Sequence, residues 1–325
     1  MKKLLSLLVL LLLVGCQSSK PAEQAAESGK ESGKKVKVGI VQFMDHVSLD
    51  AAREGFVEQL KESGIDAEVI EQSANGDMSL TNTIAQSLKA DGVDLIYAIA
   101  TPAAQAAKNT VTDIPIVFSS VTDPVGAELV KTFEKPDSNV TGVSDYVSSE
   151  AQIDSFLKIY PDVKTFGVIY NTSEQNSLVQ IEELKNNLAK RGIKLETVGV
   201  SAVTDIPQAV ASIAPKIDAL FALTDNLVAN AAPIVSDTLI KSKLPSLSAE
   251  EGQVKNGLLM SEGVNYKEQG KQAGRMAVKI LNGEQVANIP VELNEVNTKL
   301  VNVKTAEALG VDLNAEGFKD VEKIQ

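Results

Sequence analysis

From residue 36 onward the chain repeats one unit: a short run rich in valine and isoleucine, then an amphipathic segment of helical period. A continuous apolar strand has both faces covered, unlike an alternating one, so the repeat calls for parallel sheets flanked by helices. The spacing predicts strands over 36–43, 66–72, 93–100 and 114–121, with helices over 49–63, 79–90 and 102–110. A second set follows, with strands over 165–171, 194–200, 217–226, 244–250 and 257–264 and helices over 174–190, 205–213 and 227–241. Two sets of similar length imply an α/β chain of two doubly wound parallel-sheet lobes, with 139–146 as the first crossing between them. A long helix over 266–281 stops at Asn282-Gly283, a C-cap signal. Lobe I is then 36–143 plus about 266–288, and lobe II is 144–265 plus about 289–325. The lobe that takes the tail stays open.

The N-terminus reads differently. Lys2 and Lys3 precede an apolar run, Leu4 to Val14, broken only by Ser6. It is shorter than the ~20 residues of a membrane-spanning helix and fits the apolar region of a secretory signal. Leu13-Val14-Gly15-Cys16 resembles a bacterial lipobox, which makes 1–15 a signal peptide and Cys16, the sole cysteine, a lipid-attachment site. Residues 17–35 contain no Val, Ile, Leu or aromatic residue, so 16–35 reads as a lipidated end and a disordered linker. The expected location is the outer face of the cell membrane. Gly29 and Gly33-Lys34 fall one residue short of a phosphate loop.

Composition removes several classes of function. A net charge of −12 argues against nucleic acid, which rewards basic patches. One cysteine leaves no disulfide and no thiolate metal site. His46, the sole histidine, reads as a surface or cleft-lining residue and not a base. There is no Gly-x-Ser-x-Gly elbow, no dinucleotide glycine fingerprint and no metal-ligand spacing. The chain is therefore expected not to be an enzyme and to carry no cofactor or metal.

In open parallel sheets, ligands bind beyond the C-terminal ends of the strands, near helix N-termini. Those ends here carry Gln42 and Phe43, Thr101, Ser119 and Ser120, Asn176 and Ser177, and Thr224, Asp225 and Asn226. Each polar residue among them could simply cap a helix. Their recurrence in both lobes favours a shared cleft. The three arginines, Arg53, Arg191 and Arg275, are not at strand C-termini, so a ligand carboxylate must rely on helix N-terminal amides and hydroxyls. Asp225, with Asp45 or Glu250 as further candidates, would face an ammonium group. The pairing suits a zwitterionic amino acid.

The segments "VGIVQFMDHVSLDAAREGF", "YAIATPAAQAA", "IVFSSVTDPVGAELV", "NVTGVSDY", "FGVIYNTSEQNS", "LFALTDN" and "EQGKQAGRMAVKIL" together resemble the substrate-binding lipoproteins of ABC importers, nearest the tryptophan- and tyrosine-binding branch. The resemblance implies the type I periplasmic-binding-protein fold: two lobes, three hinge crossings and a small ligand closed between them. It also implies a membrane permease and an ATPase as partners, a monomeric receptor, and an aromatic amino acid held by the residues just named together with Tyr146. The chain has no tryptophan; Phe43, Phe118, Tyr146 and Tyr170 are the aromatics near strand ends or the crossing. Competing readings are a sensory or adhesive surface lipoprotein on the same fold, a receptor for a sugar or another non-amino-acid solute, and the effector domain of a transcription regulator, which the export signal opposes.

Overall fold

The computed structural model describes residues 35–136 and 138–325. The signal, Cys16 and the linker lie outside the described residues, as do the expectations made for them.

In chain order the first strands and helices are β1 (Val36–Gln42), α1 (Val47–Glu62), β2 (Ala67–Ser73), α2 (Met78–Ala90), β3 (Leu95–Ile99), α3 (Thr101–Thr110), β4 (Ile116–Val121) and β5 (Val140–Ser144). Next come α4 (Ser149–Leu157), β6 (Thr165–Asn171), α5 (Gln175–Ala189), β7 (Lys194–Val200), α6 (Ile206–Ile213) and β8 (Ala219–Ala222). Then α7 (Asn226–Asn230), α8 (Ala232–Lys241), β9 (Ser246–Glu250), α9 (Glu251–Lys255) and β10 (Met260–Val264) complete that set. The chain closes with α10 (Tyr266–Leu281), β11 (Glu292–Leu293), β12 (Asn297–Asn302), α11 (Val303–Leu309) and β13 (Glu322–Ile324).

One sheet runs β11-β5-β4-β3-β1-β2, and every neighbouring pair in it is parallel. The other runs β13-β12-β10-β9-β8-β6-β7; β12 lies antiparallel to β10, while β13 lies parallel to β12. Both lobes thus share one doubly wound order, second-first-third-fourth-fifth, whose switch point lies between the first and third strands.

Several boundaries differ from expectation. Residues 140–144, expected as a crossing, form β5 and pair with β4. The helix expected over 227–241 is two, α7 and α8, with Pro233 in the first turn of the second. Proline there lacks the N–H that a continuous helix would use. The second lobe, expected to resume near 289, does so only after 293, because Ile289 and Val291 belong to the first core and β11 pairs with β5. β12 and β13 lie in the second sheet. The lobes are linked at 144–149, 264–266 and 293–297.

Lobe I is closed by α10 against α1. Gly55 and Gly270 let the helix backbones approach so closely that a Cβ on either would overlap a carbonyl oxygen, Lys267 or Ala52 respectively. Below them Phe56 stacks on Tyr97 with ring centroids 3.9 Å apart. Among the described residues, no helix is long and apolar enough to cross a membrane.

Candidate functional site

The C-terminal ends of both sets of parallel strands face the interlobe cleft. Two of them carry backbone in the left-handed region without glycine: Ala100 (φ 82°) after β3 and Ser120 (φ 59°) in β4. Such conformations cost of order 1–3 kcal/mol and persist where the surroundings hold them. Among the described residues, four hydrogen bonds cross the cleft. His46 Nε2 and Asn226 Oδ1 are 3.2 Å apart, Ser48 Oγ donates to Glu250 Oε2 at 2.5 Å, Thr122 and Thr224 hydroxyls meet at 3.2 Å, and Asn230 Nδ2 donates to the Asp45 carbonyl at 2.9 Å.

Two cavities lie in the cleft. The smaller, about 10 Å³, is bounded by His46, Ser120, Asp145, Asp225, Glu250 and Tyr266 among others; it has room for about one water. The larger, about 250 Å³, has apolar walls from Phe133, Tyr146, Val179 and Leu293, with Thr122, Asp123, Gln180 and Glu183 between them. Thr224 lines the first, while Thr122 and Gln180 line the second. Gln180 Nε2 donates to Thr224 Oγ1 at 2.8 Å, so a small cluster of polar side chains separates the two spaces. Among the described residues, no lysine or arginine lines either cavity.

The sequence-chosen residues divide. Ser120, Thr224, Asp225 and Asn226 line the smaller cavity and Tyr146 the larger. Gln42, Phe43, Thr101, Ser119, Asn176 and Ser177 line neither. Gln42 Nε2 donates to the Met44 carbonyl, Asp45 and Asp50, and Phe43 is buried in the lobe I core. Ser119 lies 2.6 Å from the Tyr97 hydroxyl. Asn176 reaches the Thr224 carbonyl and Ser177 donates to Asp225. Thr101, at the uncapped start of α3, is buried with its hydroxyl unpartnered.

Four buried carboxylates surround this end of the cleft, and their bonding differs sharply. Asp225 accepts from Asn171 N at 2.6 Å, Ser177 Oγ at 2.6 Å and Val228 N at 2.9 Å, which makes it the cap of α7. Glu174 accepts from Asn171, Asn176, Asn226 and the Leu227 amide. Glu250 caps α9 through Gly252 and Gln253 and takes the Ser48 hydroxyl. Asp145 is the least bonded of the four: Oδ2 accepts from Tyr266 at 2.8 Å, Oδ1 has no partner at hydrogen-bond geometry, and the nearby Thr122 hydroxyl favours its charged form only weakly against burial. Burial pushes the Asp145, Asp225 and Glu250 carboxyls up, Asp225 being raised further by the Glu174 charge. Burial likewise holds the His46 imidazole low.

Sequence reasoning missed Asp145, Glu174 and Tyr266. Near Ser120, Gln269 Oε1 accepts from the Ser120 amide at 3.0 Å, while its Nε2 is buried without a partner. Among the described residues no cluster of His, Cys, Asp or Glu is arranged to hold a metal ion.

A family profile described as "ABC transporter substrate binding protein" matches residues 37–323. A tyrosine-binding protein of Clostridioides difficile (strain R20291) is 40% identical over 329 residues, covering 98% of this chain and 95% of that protein. A Streptococcus pneumoniae ABC domain in complex with L-Trp superposes with a TM-score of 0.85 at 34% identity, over 90% of this chain and 100% of that one. A ligand-free, open substrate-binding protein with adhesive properties from Clostridium difficile superposes with a TM-score of 0.69 at 42% identity, over 89% and 99%.

Proposed function

The chain belongs to the family of ABC transporter substrate-binding proteins, and on that premise we propose that it is an extracytoplasmic receptor for an aromatic amino acid, delivering tyrosine or tryptophan to an importer. The observation that carries the ligand class is a cleft whose described lining has a buried, half-bonded carboxylate and neither lysine nor arginine. Such a site favours an ammonium and leaves the ligand's carboxylate to uncharged donors. The Ser120 hydroxyl at the smaller cavity is such a donor, and Thr101 Oγ1 and Gln269 Nε2, which line neither cavity but are buried without partners, are the others. The helix N-terminus adds its dipole. The ring goes to the larger cavity, whose Phe133, Tyr146, Val179 and Leu293 walls supply apolar surface. The tyrosine- and tryptophan-binding relatives support the same class.

The lobes close on the ligand by rotation about the three crossings, a shift driven by the ligand's higher affinity for the closed form. Support comes from the comparisons in combination. The chain superposes better on the L-Trp complex than on the open protein, although the open protein is closer in sequence. Titration calorimetry with L-tyrosine, L-tryptophan, L-phenylalanine, L-leucine and glucose should show binding of an aromatic amino acid and none of the sugar. Sugar binding without amino-acid binding would overturn the ligand class. Adhesion is a second role, favoured by the adhesive properties of the Clostridium difficile relative; attachment of the purified protein to host cells would establish it.

Cleavage before Cys16 and lipidation of its thiol hold the monomeric receptor at the membrane beside its permease and ATPase, on 16–35 as a tether. Acyl chains contribute ~0.8 kcal/mol per buried methylene, so two or three chains suffice for stable anchoring. Cys16→Ala should move the protein from the membrane fraction to the medium, or leave an uncleaved precursor. An unmodified Cys16 thiol in the mature protein by mass spectrometry would refute the anchor.

A further inference from the structure

Four carboxylates compete for the ligand's positive charge, and their hydrogen bonds separate them. Glu174, Asp225 and Glu250 are each held at helix N-termini by backbone amides. An ammonium could reach one of them only by displacing donors already in place. Asp145 is buried to 3% exposure, lines the smaller cavity and has one oxygen that accepts nothing. Leaving a buried acceptor unsatisfied is unfavourable unless something arrives to pair it.

We propose that Asp145, on the first crossing between the lobes, is the residue that binds the ligand's ammonium group and selects α-amino acids over their deaminated analogues, while Glu174, Asp225 and Glu250 organise the helix ends around it. The proposal rests on the amino-acid reading given above. Tyr266, which donates to the other Asp145 oxygen, begins α10 at the end of the second crossing. The charge contact is therefore made at the hinge, and one carboxylate joins two crossings through a single hydrogen bond. An ammonium on Asp145 Oδ1 adds a third partner to that joint and favours the arrangement in which the crossings lie together.

The test uses the mature protein and two pairs of ligands: L-tyrosine with 3-(4-hydroxyphenyl)propanoate, and L-tryptophan with indole-3-propanoate. In the wild-type protein the amino acid should bind far more tightly than its deaminated partner. Asp145→Asn keeps the shape and removes the charge. It should weaken amino-acid binding about 30-fold or more and bring the two members of a pair to within about threefold of each other. A purely structural defect would weaken both members alike and preserve the preference, and that result overturns the proposal. Failure of the wild-type protein to bind any amino acid would instead reject the ligand class. If the variant does not fold, as judged by its thermal melt, a crystal structure of the wild-type protein with whichever amino acid binds decides the matter. An ammonium nitrogen within about 3.2 Å of Asp145 Oδ1 supports the assignment; one seated on Glu174, Asp225 or Glu250 instead overturns it.

Discussion

Gly270→Val should unfold lobe I or lower its melting temperature by about 10 °C or more. Gly270 in α10 faces the backbone of Ala52 in α1, and the added Cβ would overlap the Ala52 carbonyl group. Backbone cannot escape by changing rotamer, so the helices must separate. Separation exposes Leu49, Phe56 and Leu60 of α1 and Ala273, Met276 and Ala277 of α10, all buried now. Overpacking of an ordinary core costs about 1–3 kcal/mol; a backbone clash across a whole helix pair falls in the rarer class of about 4 kcal/mol or above. At about 2–4 °C per kcal/mol for a domain of this size, the shift is easily read in a thermal melt. Gly39→Ala in β1 is the control. Its new methyl would press on the Cδ atoms of Leu88, the far end of a flexible side chain that can move, and it should cost no more than the ~1–3 kcal/mol of ordinary overpacking. Similar melts for the two variants would remove close backbone approach as the reason for glycine at position 270.

Without ligand, the protein should lose stability as pH rises from about 4 to 7, against the usual trend for acid-sensitive proteins. Asp145, Asp225 and Glu250 all have folded-state pKa values above the ordinary carboxylate range, Asp225 reaching about 7 through burial and the Glu174 charge. A group raised in this way keeps its proton in the folded state over pH values where the unfolded chain has released it. Its stabilising contribution is complete below the unfolded pKa and is lost as pH climbs through the folded one. His46 acts oppositely, since burial lowers its pKa and the unfolded chain gains the proton below about 6.5. Three carboxylates outweigh one imidazole. Glu58, Asp113 and Asp205 are held low by lysines or backbone amides but are fully exposed, so solvent screens their effect. At 1.36 kcal/mol per pKa unit the net loss should reach a few kcal/mol, visible in melts between pH 4.5 and 8. Glu174→Gln removes the neighbouring charge and should shift the decline to lower pH. A melting temperature that climbs steadily over this range would mean that these carboxyls ionise freely in the fold.

Much of the fold was legible because central strands such as β3 and β8 are buried throughout and read as unbroken apolar runs. Where the run was short or interrupted, reading failed. β5, "VTGVS", has two hydroxyl residues and a glycine in five positions and was read as a crossing. That single misreading hid Asp145, since a rule that searches strand C-termini cannot find the end of an unrecognised strand. α9, with five residues, went unread because it spans too few turns to display a helical period. Asp225 was found for its position, yet position does not distinguish a ligand contact from a helix cap. Only its three donors do. The fold was confirmed by the two mostly parallel sheets and by the similar proteins.

The return of the chain to the first lobe has a consequence for the order in which the molecule can be made. β1 through β5 leave the ribosome first, yet the face of α1 that packs on α10 stays uncovered until that helix, whose last residue is Leu281, has been made. The sheet edge at β5 waits longer still, for Glu292 and Leu293. Contacts so distant in sequence are slow to form, because loop closure must precede them. Until nearly the whole chain is synthesised, the N-terminal half presents an unfinished core. For the exported receptor proposed above, a chain kept unfinished in this way would stay threadable through a secretion channel, whereas one completing its first lobe by residue 143 would risk folding on the wrong side.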